Sequence, residues 1–220
     1  MIVSHGRKYI FIHIPKTGGT ALTLALEGRA MADDLLVGDT PKAVKRRNRL
    51  KRDQSYKSLS KHSRFVDLEG VMDRSRFDDF MIFTLVRNPW DRIVSYYHWL
   101  QAQSWDHPAV TLAKSADFTT FLNDRQTIGS LSLSYASYMQ DGAGVERATH
   151  YMRLEKLDQD LHSLWDHLGF SLSPIQPENT SQRAGDFRVY YSDADRDLVA
   201  DICAVDIARF GYGFTQDGFS

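Results

Sequence analysis

The stretch "YIFIHIPKTGGTALTLALEG", residues 9–28, decides the fold. Its first six residues are nearly all apolar and rich in strand formers, the pattern of a strand covered on both faces of a parallel sheet. Pro-Lys-Thr-Gly-Gly-Thr breaks the run. Leu22, Leu24, Ala25 and Leu26 then resume as a helix buried against such a sheet, with Gly28 as its C-terminal stop. A loop between a parallel strand and its helix points several backbone N–H groups at one place, at the positive end of the helix dipole, and so suits a phosphate. Here Gly18 and Gly19 let the backbone approach an anion, Thr17 and Thr20 offer hydroxyl donors, and Lys16 sets a cation beside it. Taken alone, the same residues also describe a tight turn with an exposed lysine. The nucleotide triphosphatase pattern G-x-x-x-x-G-K-[ST] is absent, because the lysine precedes the glycines.

The strand-turn-helix order repeats at "FMIFTLVRNPWDRIVSYYHWLQ", residues 80–101. A strand over 80–86 runs into Arg87; Asn88 caps the next helix, Pro89 takes its first position, and Asp91 favours its first turn. Asp91, Ser95 and His98 are spaced i, i+4 and i+7 and share one face, while Trp90, Val94 and Tyr97 face inward. An arginine at the end of a strand and a serine hydroxyl on the following helix can hold a second phosphate by charge-assisted hydrogen bonds. The competing reading is an Arg87–Asp91 ion pair with a solvated Ser95.

Working outward, 220 residues suit one well-filled α/β domain, expected to span 1–220, with a polar, basic insertion at about 29–60. "HSRFVDL" (62–68) reads as a short extended segment, Asp117 opens a helical segment, and "THYMRLE" (149–155) reads as a third strand. Leu157, Leu161, Leu164 and Leu168 share a helix face ended by Gly169, and Asp193 caps a last helix with Leu198, Val199, Ile202 and Val205 inward. The fold expected is α/β: a P-loop NTPase-like three-layer domain with a central, mostly parallel sheet and helices on both faces.

Composition narrows the function. The single cysteine, Cys203, excludes a disulfide framework and a cysteine-rich zinc site and reads as a core residue. No apolar run reaches eighteen residues, and the first periodic segment, near Tyr9, leaves no room for a secretory leader, so a cytoplasmic protein without a transmembrane segment is expected. Net charge is −1, yet "PKAVKRRNRLKR" (41–52) concentrates Lys42, Lys45, Arg46, Arg47, Arg49, Lys51 and Arg52. That run suits docking of an acidic glycan and equally a solvated helix; the aromatic platforms of a nucleic-acid binder are missing. No metal-ligand cluster is visible.

"FIHIPKTGGT" followed by "FTLVRNPWDRIVSYY" resembles the sulfotransferases that use 3′-phosphoadenosine 5′-phosphosulfate (PAPS), especially the carbohydrate-type family that includes heparan and chondroitin sulfotransferases. "YMRLEKLDQDL" and "DIARFGYGF" extend the likeness more loosely. The resemblance implies transfer of a sulfuryl group from PAPS to a hydroxyl acceptor, a carbohydrate in the closest family, without a metal. It places the 5′-phosphosulfate loop on Lys16, Thr17, Gly18, Gly19 and Thr20 and the 3′-phosphate site on Arg87 and Ser95. Arg183, in "NTSQRAG" (179–185), falls where a late loop closes over the nucleotide. Lys16 is the cation at the leaving oxygen. His62 stands at the place of the family's base, with Lys61 where a glycine is frequent; Glu69 and Asp67 are the rivals, since other members use a glutamate. His13 is expected to make a structural hydrogen bond at the sheet edge, and His98 to be a solvated helix residue. Specificity would reside in 29–60 and 101–148. The alternatives are a nucleotide or small-molecule kinase, which needs magnesium carboxylates and a lysine after the glycines, and a binding module without turnover.

Overall fold

The computed structural model describes residues 1–50, 58–72, 77–176, 178 and 183–215, with backbone alone for 47–50. The chain divides into two compact units: Met1–Val86 with Tyr135–Glu178, and Arg87–Ser134 with Asn179–Ser220.

The first unit is built on a five-stranded sheet, β1 (Ile2–Ser4), β2 (Tyr9–Ile12), β3 (Leu35–Leu36), β4 (Met81–Val86) and β5 (His150–Arg153), in the order β3-β1-β2-β4-β5. β2 pairs in parallel with β4, and β4 with β5, in a register that sets Phe11 beside Phe83 and Thr84 beside Tyr151. β1 pairs antiparallel with β2 and with β3, so four of the five strands run one way. The mostly parallel sheet expected from the sequence is present. Two of its strands were not foreseen: β1 is three residues long and β3 two, too short to show a period.

The helices of this unit are α1 (Gly19–Gly28), α2 (Pro41–Leu50) and α3 (Val66–Glu69), followed after β5 by α8 (Leu157–Asp160) and α9 (His162–Leu168). One sheet face, carrying Tyr9, Phe11, Met81, Phe83, Leu85 and Met152, packs with Leu22 and Leu26 of α1, Ala43 of α2, and Leu161 and Leu164. Phe11 and Phe83 stack with ring centroids 5.2 Å apart. Gly169, with φ 75°, ends α9 as expected. The 62–68 segment is not extended: Val66–Glu69 is a helical turn, with Asp67 accepting from the Arg64 N–H at 2.7 Å. The 29–60 segment is not wholly an excursion either, since Leu35 and Leu36 join the sheet edge.

In the second unit the helices are α4 (Pro89–Gln101), α5 (Pro108–Ser115), α6 (Phe118–Leu122), α7 (Arg125–Leu131), α10 (Asp193–Ile202) and α11 (Ala204–Phe210). Trp90, Ile93, Val94, Tyr97 and Leu100 of α4 form its core with Val110, Phe118, Phe121, Leu131, Val199 and Cys203. Asn88 and Asp117 cap α4 and α6, as read from the sequence. The cap of α10 is Ser192 rather than Asp193, because Ser192 and Asp195 close a reciprocal capping box. The chain then breaks its helical path at Cys203, which turns Val205 outward to 69% exposure instead of inward. Cys203 is buried, and burial pushes its thiol up to about 11. Among the described residues no helix is long and apolar enough to cross a membrane.

Candidate active site

In the first unit, β2 delivers the chain to a loop of unusual backbone geometry. Lys16 is held at φ 65°, a left-handed conformation that costs an L-residue roughly 1–2 kcal/mol, and Gly18 follows at φ 82°. Thr17 is fully buried, and its hydroxyl donates to the Ile14 carbonyl at 2.9 Å, so the proton expected to serve an anion instead closes the loop. The two glycines are sterically required. A Cβ on Gly18 would lie 2.6 Å from Leu154, and one on Gly19 would lie 2.4 Å from Cδ2 of the His13 ring.

α1 starts at Gly19 with no side-chain cap and no acidic residue in its first turn. Asn88, His107, Asp117, Asp124 and Ser192 cap α4, α5, α6, α7 and α10 with their side chains. The first N–H groups of α1 thus lie behind Lys16, without a side-chain acceptor, at the positive end of a ten-residue helix. This arrangement suits an anion.

Beside the loop stand two histidines, with ring centroids 4.8 Å apart. His62 Nδ1 lies 2.8 Å from the His13 carbonyl oxygen. A carbonyl only accepts, so Nδ1 carries the hydrogen and Nε2 of the neutral ring holds a lone pair. Partial burial lowers the His62 pKa below its ordinary 6.5, with Lys61 and the Met1 amino group acting in the same direction against the hydrogen bond to His13. The Met1 amino group donates to the Lys61 carbonyl at 3.1 Å, and Lys61 pairs with Asp39 at 3.0 Å, fixing the backbone that presents His62.

His13 is buried, and its Nδ1 has no hydrogen-bond partner; desolvation holds its pKa well below 6.5. The side-chain bond expected of it is absent at that nitrogen: its carbonyl makes the contact instead. The rival carboxylates serve backbone amides. Asp67 accepts from Arg64, and Glu69 accepts from the Gly142 N–H at 3.0 Å.

The second unit carries a separate polar cluster at the start of α4. Asp91 accepts from Arg87 Nε at 2.8 Å and Nη2 at 2.6 Å through one oxygen, and from Arg183 Nη2 at 2.5 Å through the other. All three side chains are almost wholly buried. Two guanidiniums around one carboxylate leave a surplus of one positive charge, which suits an anion. The Arg87–Asp91 pair that competed with the phosphate reading therefore exists. Ser95, one turn further along, is buried, not solvated. His98 is not solvated either: its ring packs against Tyr190 at 4.9 Å and Tyr97 at 5.3 Å, and its Nε2 is buried without a partner. The Asp91, Ser95 and His98 spacing was the sequence signal for this cluster. Arg183 lies among the described residues, whereas 179–182 of its loop lie outside them.

Within the basic run, Lys42 donates to the Glu27 carbonyl at the end of α1, and Arg46 donates to the Met31 and Asp34 carbonyls at 2.8 and 3.2 Å. The side chains of Arg47 and Arg49, and Lys51 and Arg52 entirely, lie outside the described residues. A cleft of about 690 Å³ in the second unit, lined by Thr119, Asn123, Ser192 and Asp195 among others, includes none of the candidate residues. Among the described residues no group of three or more His, Cys, Asp or Glu side chains is placed to hold a metal ion.

The sulfotransferase family model matches residues 1–212, nearly the whole chain. The chain belongs to the sulfotransferase family. The family expected from the two motif blocks is thus the one found. Among solved structures, this sulfotransferase is similar to mouse sulfotransferase SULT7A1, crystallised in complex with PAP, at 16% identity and a TM-score of 0.50. The alignment covers 93% of the sulfotransferase chain and 87% of the mouse chain, so the likeness is one of fold, and the α/β P-loop-like class read from the sequence holds. Comparison with curated protein sequences gives no significant match.

Proposed function

We propose that the protein is a PAPS-dependent sulfotransferase that moves a sulfuryl group to a hydroxyl acceptor. The observation that carries the reading is the loop between β2 and α1: a left-handed Lys16, two sterically obligatory glycines and a helix start without a side-chain cap. In this reading Lys16, Thr17, Gly18, Gly19 and Thr20 bind the 5′-phosphosulfate. Arg87 and Ser95, with Arg183, bind the 3′-phosphate, and Asp91 positions the two arginines. Chemically, the acceptor oxygen forms a bond to sulfur while the bond from sulfur to the bridging phosphate oxygen breaks. Charge growing on that oxygen is met by the Lys16 ammonium and the α1 N–H groups. The acceptor's proton passes to His62 Nε2, the nitrogen left open by the His13 carbonyl. No step is assigned to a metal.

The acceptor is proposed to be a carbohydrate, on the resemblance of the two motif blocks to the carbohydrate-type enzymes. A cytoplasmic site of action is part of the same proposal, supported by the single, buried, free Cys203. Calorimetry with 3′-phosphoadenosine 5′-phosphate (PAP) against ATP and magnesium tests the reading. Tight binding of PAP with little affinity for ATP is expected; preference for magnesium ATP would establish the kinase alternative. PAP binding without sulfate transfer from PAPS to any glycan or small hydroxyl compound would leave a binding module.

A further inference from the structure

Among the described residues of the second unit, two buried polar atoms have no hydrogen-bond partner: Nε2 of His98 and Nη1 of Arg183. A buried donor or acceptor without a partner has lost its water and gained nothing in return, and such an atom calls for a function. These two come from different segments that share neighbours. Arg183 is tied to Asp91, on the α4 face that also carries Ser95 and His98, and the N–H of Ala184 beside it donates at 3.0 Å to the hydroxyl of Tyr190, whose ring packs on His98. An oxyanion placed over Ser95 satisfies Arg183 Nη1 directly. Gln101 bonds the His98 ring in the sense that favours its charged form, as an acceptor of a ring N–H, and a neutral ring that gives its one hydrogen there has none at Nε2 for the oxyanion.

We propose that His98 is a fourth ligand of the nucleotide's 3′-phosphate, beside Arg87, Ser95 and Arg183, and that it takes up a proton at Nε2 as that phosphate binds. The inference rests on assigning the 3′-phosphate to the Arg87 cluster. The groups facing the ring account for the coupling. Burial and then Arg183 lower the pKa of His98 and Gln101 raises it, Tyr97 and Tyr190 flank the ring, and the carboxylate of Asp91 is already held by both arginines. Without ligand the ring is therefore neutral near pH 7. A phosphate monoester brings about −1.5 to −2 charges and reverses the balance. Binding is then tighter on the acid side, and affinity falls as pH rises through the pKa of the liganded His98, by up to about tenfold per pH unit.

The test is calorimetry of PAP and of AMP, which lacks the 3′-phosphate, on the whole protein in buffers of different ionisation enthalpy. Wild type is expected to take up close to one proton per PAP near pH 7 and none with AMP. His98→Gln should bind PAP about tenfold more weakly at pH 6.5, converge with wild type at pH 8.5, and show no such uptake. Equal PAP affinity and equal proton uptake in wild type and variant would overturn the inference, as would an equal loss of PAP and AMP binding. Nitrogen NMR of the unmutated protein gives a reading independent of the variant's folding: the Nε2 resonance of His98 should become that of an imidazolium on adding PAP, and an unchanged neutral signal refutes the proposal. Arg87→Ala separates the two levels. If it leaves the preference for PAP over AMP intact, the 3′-phosphate assignment itself fails; if it abolishes that preference while His98→Gln does not alter it, only the role of His98 fails.

Discussion

The imidazole of His62 donates from Nδ1 to the backbone carbonyl of His13, 2.8 Å away, one residue before the loop that holds Lys16 begins at Ile14. The contact fixes both the tautomer and the direction of the ring. It ties the proposed base to the strand that delivers the phosphate loop, so the base does not have to find its position with each substrate.

Replacement of His62 by Ala or Gln is expected to lower kcat by about 10²–10³-fold while PAP binding changes less than threefold. The base acts deprotonated, so activity is lost as pH falls through its pKa. Because burial lowers that pKa, the acid limb of the rate profile should have its midpoint below 6.5 and be absent from the residual activity of the variant. Steady-state kinetics between pH 5 and 8 check this; an acid limb that persists unchanged in the His62 variants would show that another group is the base.

Lys16 combines a chemical role with an unfavourable backbone conformation, and the two can be separated. Lys16→Ala and Lys16→Gly should both lose about 10²-fold or more in kcat. The glycine variant should nevertheless be about 1 kcal/mol more stable than the alanine variant, because only glycine occupies φ 65° without a Cβ penalty. Denaturant melts of the two proteins decide it.

Gly19→Ala places a methyl group 2.4 Å from the buried His13 ring. We expect a loss of about 1–3 kcal/mol in stability, because the ring has packed neighbours behind it. Any repositioning of His13 also moves the carbonyl that orients His62, so kcat should fall more than PAP affinity. Wild-type stability in the variant would mean that the ring yields freely.

Asp91→Asn removes the shared charge between two buried guanidiniums. A loss of roughly 3–5 kcal/mol is expected, since the arginines are left mutually repelling. KM for the donor should rise by an order of magnitude or more, with kcat changed far less, because Asp91 positions binding groups and touches no reacting atom. Thermal unfolding and donor-dependent kinetics measure the two effects.

How much of this was legible in the sequence depended on length and locality. β2, β4, α4 and the loop at 14–20 were readable because each is a long apolar run punctuated by glycine, proline or an asparagine cap, and those signals act within a few residues. β1 and β3 were invisible at three and two residues, since their place in the sheet is set by partners far along the chain. Within the site, Lys16, Arg87 and Ser95 stood out by motif. The role of Asp91 did not, because its second partner, Arg183, lies 92 residues away. His98 read as solvated because helix periodicity cannot foresee that Tyr190, from a later turn, covers the ring. The Thr17 hydroxyl shows the converse: in a phosphate loop it can donate to the loop itself, a bond that the motif alone does not reveal.

The shielding of Cys203 has a practical use. With its pKa near 11, only about one molecule in ten thousand carries a thiolate at neutral pH, against a few per cent for an ordinary exposed cysteine. A cysteine placed at Val189, which is 67% exposed and adjoins Tyr190, would thus react with a maleimide dye almost alone. Fluorescence from that label could follow nucleotide arrival beside His98 in real time, with no native thiol to remove first.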